Sequence, residues 1–400
     1  MPDHLLTRRA LLVGAAGAAA AGVLGCSGSG SAGGGSSAAP IRPAAHGRSV
    51  PLWRTAHQRG IVYGSSTATW EISDHAYRRL FEREAAILFT EDDLLWYRLR
   101  PRPGADLDFS YGDRIVDFAQ RIGMLVFGAH LAWDQGYGKG WSKAQLLELG
   151  GAKACSLLFG TIEKVVGRYR GRVAAWSVVN EALSGTGVRT DVPWYVTIGP
   201  DYIADSFRTA HAADPNALLV LNEFGFETDD DFNVASYKRQ ATLDLLDQLR
   251  EAKVPVHALG VQAHLQAGRF TGGFDAGAYR KFLADVATRG LQILITELDV
   301  LDDGLPAASG PRDTAVAGIY RRYLSVALQE PAVATVMTFG LSDRYTWLQE
   351  DYPRNDGAPR RPLPFDRKLR PKPAYDAISS TLAEASKRRA LWTPPRAKSA

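Results

Sequence analysis

Short apolar runs alternate with longer amphipathic segments from Gly60 almost to the end of the chain. Eight of these runs resemble strands, at 61–69, 87–90, 124–133, 173–181, 218–224, 258–265, 292–300 and 335–341. Several are continuously apolar instead of alternating, as expected for strands that are buried on both faces of a parallel sheet. Eight strand–helix units in succession predict an α/β chain folded as a single (β/α)8 TIM barrel.

The segments between these runs carry helix start and stop signals. They include Gly123 after a helical pattern at 111–121, a capping-box pattern at 142–145, Asp214-Pro215 after 202–213, and Gly290 after 279–288. We also expect Asp313 to cap a helix that runs to Gln329, before Pro331.

The first 26 residues are typical of an export signal. Arg8 and Arg9 form a twin-arginine pattern, and the apolar stretch at 10–24 is too short to span a membrane comfortably. The stretch ends in a lipobox-like segment, so cleavage before Cys26 would leave a lipid-modified cysteine as the one link to a membrane. The alternative is a simple secretory signal that is cut nearby. Both interpretations place the protein in the cell envelope or outside the cell.

The rest of the chain divides into three parts. Residues 27–55 are rich in Gly, Ser, Ala and Pro and predict a flexible tether, 56–385 contain the barrel, and 386–400 are expected to form a disordered tail. With 46% hydrophobic and 22% charged residues, the composition is that of a globular protein, which we expect to be a monomer. The net charge of +4, without a long basic run, does not suggest a nucleic-acid partner. If Cys26 carries lipid, Cys155 has no disulfide partner and is a small core residue.

Two of the apolar runs end on a glutamate. Glu181 closes the fourth run and Glu297 lies near the end of the seventh. The carboxyl ends of parallel barrel strands meet at one mouth, where active sites of this fold lie. Two carboxyl groups at such a mouth are what glycosidic bond cleavage requires. A polar residue at a strand end is more often a solvated loop residue or a cap, but two glutamates after buried strands favour the catalytic interpretation.

At these residues the chain resembles glycoside hydrolase family 10, the retaining endo-β-1,4-xylanases. The resemblance extends from about Gly60 to Ile378 and rests on four segments, at 176–183, 260–265, 295–300 and 371–375. It implies that Glu181 is the general acid/base and Glu297 the nucleophile. Retention requires the two carboxyl groups to lie about 5 Å apart, and such proximity splits their pKa values. The implied substrate is a polysaccharide, and the implied reaction needs no cofactor and no metal.

The resemblance also assigns supporting roles. Asn180 matches the residue that binds the sugar 2-hydroxyl, and Gln262 matches a glutamine beside the nucleophile. His264 matches the histidine that orients the nucleophile, with Asp299 expected to hold its imidazole. The remaining matches are Trp133 and Trp347 at sugar-stacking positions and Glu91 at a glutamate of the glycone side.

The chain departs from the family pattern mainly on the glycone side. The usual Glu-Asn-x-x-Lys has Asp92 and Leu95 in place of the asparagine and the lysine. The usual histidines of the third strand are Ala129 and Asp134, and His130 is shifted by one position, which predicts that it faces the other side of the strand. Further differences are Glu223 and Phe224 in the fifth strand and Phe339 in the eighth. We hypothesise that the bond-breaking chemistry is kept while the preferred glycan differs from unsubstituted xylan.

Two alternatives remain open from the sequence. One is a lipid-anchored glycan-binding protein of the same fold that has lost catalysis, although this leaves the retention of both glutamates unexplained. The other is a hydrolase of the same clan that acts on a different polysaccharide, such as a β-mannan, cellulose or a bacterial exopolysaccharide. No metal-ligand pattern and no glycine-rich phosphate loop is present in the sequence.

Overall fold

The computed structural model describes residues 50–138, 140–230 and 233–397. Its strands are β1 (Val62–Thr67), β2 (Ile87–Thr90), β3 (Leu125–Gly128), β4 (Ala175–Asn180), β5 (Leu183–Ser184), β6 (Gly187–Val188), β7 (Leu218–Glu223), β8 (Ala258–Val261), β9 (His264–Gln266), β10 (Gln292–Leu301) and β11 (Val333–Thr338). The predicted (β/α)8 barrel is confirmed, because β1, β2, β3, β4, β7, β8, β10 and β11 pair in parallel in this order and β11 returns to β1. All eight carboxyl ends therefore meet at one mouth.

Helices connect the barrel strands and pack around them. They are α1 (Leu52–His57), α2 (His75–Glu84), α3 (Trp96–Leu99), α4 (Ser110–Arg121), α5 (Lys143–Leu147), α6 (Gly151–Arg168), α7 (Pro193–Ile198), α8 (Tyr202–Ala213), α9 (Ala235–Glu251), α10 (Ala267–Gly273), α11 (Ala276–Ala287), α12 (Ser309–Ala327), α13 (Leu348–Asp351) and α14 (Pro373–Glu384). Within the described ranges, no helix is both long enough and apolar enough to cross a membrane. The capping box at α5 is present, since Ser142 and Gln145 satisfy each other's backbone N–H groups.

Helix α12 begins earlier than predicted. It starts at Ser309, so Asp313 lies inside the helix and does not cap it. Its carboxylate instead accepts two hydrogen bonds of 2.7 Å from the guanidinium of Arg361. The prediction was wrong because a cap pattern describes local sequence only, whereas this aspartate is used by a residue distant in the chain.

Three predicted strands differ from the observed ones near the mouth. The third run is paired as a strand only to Gly128. The sixth splits into β8 and β9 around Ala263, whose φ of 61° interrupts the extended backbone. Strand β10 continues past Glu297 to Leu301, because its end pairs with β9 (Asp299 opposite His264). Glu297 therefore lies inside a strand, next to a break in register between Ile295 and Leu298.

Described residues at both ends of the predicted barrel domain bond to the barrel. The predicted signal peptide, 1–26, and residues 27–49 of the predicted tether lie outside the described residues. Residues 50–55 of that tether are not free: Tyr375 Oη donates to the carbonyl of Val50, and the backbone N–H of Leu52 donates to Glu84 at 2.9 Å.

Residues 386–397 belong to the predicted disordered tail and run across the amino-terminal end of the barrel, where two of their arginines bond to it. Beyond its own segment, Arg388 donates to three backbone carbonyls, those of Leu328, Glu330 and Val333. Arg396 donates to the carbonyls of Glu82 and Ala85. A Pro- and Arg-rich composition indicates disorder only when no surface accepts those donors. Here the carbonyls at helix and strand ends accept them.

Candidate active site

A cleft opens at the carboxyl ends of the barrel strands. Glu181 and Glu297 both line it and are almost fully buried, with 3% and 4% of their surfaces exposed. The other lining residues are Glu91, Leu95, His130, Trp133, Phe224, Gly225, Glu227, Thr228, Asp230, Gln262, His264, Leu265, Gln266, Phe339 and Trp347. The structure thus brings together most of the residues that the sequence singled out.

The backbone of Glu181 is fixed in an unusual conformation. The residue directly follows β4 and has a φ of 58°, in the left-handed region that residues with side chains rarely occupy. The N–H of Glu181 donates to the carbonyl of Asn222 at 3.0 Å, and the carbonyl of Glu181 accepts from Arg189 Nη1 at 3.1 Å. Both backbone groups are therefore held, and the side chain is directed into the cleft.

The carboxyl group of Glu181 accepts one hydrogen bond on each oxygen. Trp133 Nε1 donates to Oε2 at 2.8 Å, and Gln262 Nε2 donates to Oε1 at 3.0 Å. Burial raises the pKa of Glu181 to about 7; these two bonds oppose the rise, while the charges of Asp134 and Glu297 add to it. Desolvation, more than the neighbouring nucleophile that the sequence suggested, keeps this group protonated near neutral pH.

Glu297 has the opposite electrostatic environment. Burial alone would raise its pKa, but the hydrogen bond from His264 and the charges of His130 and His264 outweigh burial and hold the pKa below its ordinary value. Asn222 Nδ2 also donates to Oε1 at 2.7 Å, and His264 Nε2 lies 3.4 Å from Oε2. The pKa values of the two buried glutamates are thus shifted in opposite directions, so that Glu181 is protonated and Glu297 is ionised.

His264 is held as a cation by a chain of contacts. Its Nδ1 lies 2.9 Å from Asp299 Oδ1, and Trp347 Nε1 donates to the other oxygen of Asp299 at 2.8 Å. Burial lowers the pKa of His264, but the charges of Asp299 and Glu297 outweigh it and raise the pKa to about 10. The imidazolium therefore persists beside Glu297 at neutral pH.

Three amides connect the two glutamates. Gln262 Nε2 bonds both Glu181 and, at 3.2 Å, Asn180 Oδ1, while Asn222 Nδ2 bonds both Asn180 Oδ1 at 2.8 Å and Glu297. The side chain of Gln262 thus reaches Glu181, although its backbone carbonyl accepts from the N–H of the nucleophile candidate Glu297. Among the described residues, the buried Nδ2 of Asn180 has no hydrogen-bond partner.

The position of His130 corrects the sequence prediction. Its ring lines the cleft, packs edge-to-face on Trp133 at 5.1 Å between centroids, and bonds Ser177 Oγ through Nδ1 at 2.7 Å. Strand alternation does not apply here, because the pairing of β3 with β4 ends at Gly128 and the chain rejoins β4 only at Leu131 and Ala132, whose N–H groups donate to the carbonyls of Ser177 and Val178. A shift of one residue in sequence therefore does not turn this side chain away.

The other residues that depart from the family pattern lie either in the cleft lining or just outside it. Leu95 and Phe339 add apolar surface to the cleft lining, and Glu91 accepts a hydrogen bond from Ser66 Oγ at 2.7 Å. Asp92 does not follow Glu91 into the cleft lining and instead accepts from Trp70 Nε1 at 3.1 Å. Ala129 is buried and is not part of the lining.

Two of the departures from the family pattern are acidic residues, Asp134 and Glu223, and each forms an ion pair with a basic side chain. Asp134 lies 2.7 Å from Arg189 Nη2, the guanidinium that also holds the carbonyl of Glu181. Glu223 is fully buried and lies 2.7 Å from Lys238 Nζ. Its other oxygen accepts from the N–H of Leu183, two residues after Glu181.

Sequence reasoning missed several residues of the site, namely Asn222, Arg189, Lys238, His130 and Glu227. Asn222 stands at the carboxyl end of a barrel strand, which could have identified it. Glu227 carried no comparable signal, although it lines the cleft and burial raises its pKa to about 7. Over the ranges that the structure describes, no group of three or more His, Cys, Asp or Glu side chains is arranged to hold a metal ion.

Comparison with known proteins identifies the family of this barrel. The profile of glycosyl hydrolase family 10 matches residues 52–381. Endo-1,4-beta-xylanase B of Thermotoga neapolitana is 32% identical over 352 residues, covering 86% of this chain and 94% of the relative. The crystal structure of xylanase 10B from Thermotoga maritima superposes with a TM-score of 0.75 at 30% identity, over 84% of this chain and 98% of that one.

A second solved structure carries a ligand. Xylanase 10B from Thermotoga petrophila, in complex with xylobiose, superposes with a TM-score of 0.74 at 30% identity, over 85% of this chain and 99% of that one. The match of the family profile covers nearly the whole barrel, including both glutamates and the residues that hold them. The chain belongs to glycosyl hydrolase family 10.

Proposed function

We propose that this glycoside hydrolase cleaves internal β-1,4-xylosidic bonds of xylan, or of a related polysaccharide, with retention of configuration. The observation that carries the proposal is the opposite pKa shift of two buried glutamates within one hydrogen-bond network. A protonated carboxyl and an ionised carboxylate at one cleft are the two groups that a double displacement needs. The named activities of the relatives support the choice of xylan.

In the first step, Glu297 attacks the anomeric carbon while Glu181 gives its proton to the departing glycosidic oxygen. A bond forms between Glu297 and the sugar, and the bond to the leaving chain breaks. Trp133 and Gln262 hold the carboxyl group of Glu181 through one hydrogen bond each. In the second step, Glu181, now ionised, takes a proton from water, the water oxygen attacks the anomeric carbon, and Glu297 leaves as carboxylate.

Asn180 and His264 support this sequence. The buried Nδ2 of Asn180, which has no partner among the described residues, donates to the 2-hydroxyl of the sugar bound at the nucleophile. The cationic His264 stabilises the negative charge of Glu297 before attack and again when it leaves. Trp347, fixed by its bond to Asp299, and Trp133 present ring surfaces to the sugars.

The residues on the glycone side support the hypothesis that the enzyme prefers a glycan other than unsubstituted xylan. Leu95 removes the usual lysine donor, Asp92 is engaged by Trp70, and Phe339 has no ring N–H. Loss of a polar contact to substrate costs about 1–3 kcal/mol, so several losses together weaken the binding of plain xylan. A decorated xylan, an aryl β-xyloside or a bacterial exopolysaccharide are the alternatives.

The sequence supports export of the enzyme through a twin-arginine-type signal, with a lipid on Cys26 or simple cleavage near that residue. Mass spectrometry of the mature N-terminus distinguishes the two routes. A diacylglyceryl mass on Cys26 supports the anchored form, and an unmodified N-terminus beyond this residue contradicts it.

The primary test is mass spectrometry of products after incubation with glucuronoxylan. Wild type is compared with Glu297→Ala and with Glu251→Ala, an exposed glutamate at the end of α9 that serves as the matched control. We expect xylo-oligosaccharides from wild type and from Glu251→Ala but not from Glu297→Ala. Proton NMR early in the reaction should show the β-anomer first. No products from wild type, or equal products from Glu297→Ala, would contradict the proposal.

A further inference from the structure

Trp70 is an exposed aromatic residue on a loop that is otherwise tightly fixed. The loop follows β1, and 46% of the surface of Trp70 is exposed. On one side of it, Thr69 donates to Asp93 through both its N–H and its hydroxyl, at 2.7 and 2.8 Å. On the other side, Glu71 is buried and accepts from Thr67 Oγ1 at 2.7 Å. The indole therefore has little freedom of position, although half of it faces solvent.

Trp70 bridges two residues that adjoin the glycone side of the cleft. Its Nε1 donates to Asp92 at 3.1 Å, and Asp92 follows Glu91, which lines the cleft. Its ring packs edge-to-face on Tyr345 at 5.3 Å between centroids, and Tyr345 lies two residues before Trp347, another lining residue. The exposed ring thus stands at the rim, between the residues that follow β2 and those that follow β11.

Tyr345 is itself held in place, which makes the pair of rings rigid. Its hydroxyl donates to Asp74 at 2.8 Å, and its ring packs edge-to-face on the buried Tyr77 at 4.9 Å. A ring that is already immobile loses little conformational entropy when a ligand packs on it. Because the one polar atom of the indole is already bonded, a ligand covers apolar surface without removing a hydrogen bond from water.

We infer that Trp70 forms a distal sugar-binding subsite on the glycone side, outside the cleft that holds the two sugars next to the scissile bond. Its occupant is a pyranose unit of the same glycan, with its C–H face against the indole. Trp70 is continuous with the cleft lining through Asp92 and Tyr345, and its role as a subsite rests on the proposed function. The chemistry selects for chain length: a long glycan reaches Trp70 and a short one does not.

The test compares a long substrate with a short one. Full-length wild type, Trp70→Ala and Trp70→Phe are assayed on xylohexaose and on 4-nitrophenyl β-xylobioside, which does not extend beyond the cleft. Val196→Ala is the control, since Val196 is 55% exposed on α7 and does not line the cleft. We expect Trp70→Ala to lower kcat/KM on xylohexaose by about 3- to 10-fold, Trp70→Phe to lose less, and both to keep their activity on the short substrate.

Three results would overturn the inference. They are equal kcat/KM of wild type and Trp70→Ala on xylohexaose, an equal loss on both substrates, and a change of oligomeric state in light scattering that accounts for the loss. If wild type cleaves neither substrate, the proposed function fails. Affinity electrophoresis in glucuronoxylan, mixed-linkage glucan and galactomannan then decides the Trp70 inference. If at least one glycan slows the migration of Trp70→Ala less than that of wild type, the subsite is supported. Equal mobility of the two proteins in all three glycans contradicts it.

Discussion

Arg189 Nη2 lies 2.7 Å from Asp134 Oδ2, and Nη1 of the same guanidinium donates to the backbone carbonyl of Glu181. Asp134 is one of the departures from the family pattern that the sequence analysis identified. The family pattern is therefore altered next to the proposed acid/base, but the new charge is paired. The pair holds the left-handed backbone of Glu181 and contributes to the local electrostatic field.

We expect Asp134→Asn to lower the pKa of Glu181. The negative charge of Asp134 disfavours ionisation of Glu181, and its removal also leaves the Arg189 cation less compensated. The alkaline limb of kcat/KM should move to lower pH, with a loss of about 2- to 5-fold above pH 7. Asp191→Asn is the control, because Asp191 bonds the same guanidinium from an exposed position. Identical profiles for the two variants would contradict a specific effect of Asp134.

The wild-type enzyme should have a bell-shaped pH profile. Glu297 must be ionised, so activity rises as pH passes its lowered pKa, and Glu181 must be protonated, so activity falls as pH passes about 7. The pH profile of Glu181→Gln should have no alkaline limb, and its kcat/KM on xylohexaose should be about 100- to 10,000-fold lower than that of wild type. Full activity at pH 9, or an alkaline limb that persists in Glu181→Gln, would refute this assignment. The measurement is kcat/KM from pH 3 to 10.

Lys238→Met should destabilise the fold strongly. It leaves Glu223 buried without its cation, which costs about 3–5 kcal/mol, and it removes the bond to the carbonyl of Leu183 beside the acid/base. Lys281→Met is the control, because Lys281 pairs with Asp285 at an exposed site and should cost at most about 1 kcal/mol. The double variant Lys238→Met with Glu223→Gln should recover part of the loss. Urea unfolding followed by circular dichroism measures all three.

Arg388→Ala should destabilise the barrel through the C-terminal segment. The guanidinium donates to carbonyls that end a helix and begin a strand, and its removal takes one hydrogen bond from each of these three acceptors. We expect a loss of about 2–4 kcal/mol in the free energy of unfolding. The neighbouring Arg389 is exposed, and Arg389→Ala should change stability by less than about 0.5 kcal/mol. Equal melting temperatures for the two variants would mean that the segment does not support the barrel.

Leu95→Lys should restore a donor on the glycone side. Leu95 lines the cleft with Glu91, so a lysine at this position places a cation beside a carboxylate and within reach of sugar hydroxyls. If its loss limits binding of plain xylan, kcat/KM on linear xylo-oligosaccharides should rise by about 5- to 100-fold. Leu95→Met, which adds no charge, is the control. No gain from lysine would contradict the hypothesis that this departure changes the preferred glycan.

Local patterns in the sequence were enough to predict the barrel. Apolar runs of strand length, caps and glycine stops are properties of short segments, and parallel strands that follow one another with helices between them close in one way. That closure places the carboxyl ends of β4 and β10 at one mouth, which is why Glu181 and Glu297 could be paired from the sequence. The resemblance to family 10 added His264, Asp299 and the tryptophans.

The contacts within the site were decided by the tertiary structure. Regular alternation of side chains fails at both glutamates, because β4 and β10 each shift register near their carboxyl ends and Glu181 adopts a left-handed backbone. Pairing of β3 likewise ends at Gly128, so sequence alternation misplaced His130, and it did not anticipate that Gln262 reaches Glu181.

The sequence by itself determined the fold class, the family and the two glutamates, because these follow from local patterns and from the order of the strands. Only the tertiary structure decided which partner each buried charge has. Asp134 with Arg189, Glu223 with Lys238 and Arg388 with its carbonyls join segments that are distant in the chain. Such pairings depend on side-chain direction at irregular backbone, and the burial that shifts the pKa of Glu181 exists only after the barrel has closed.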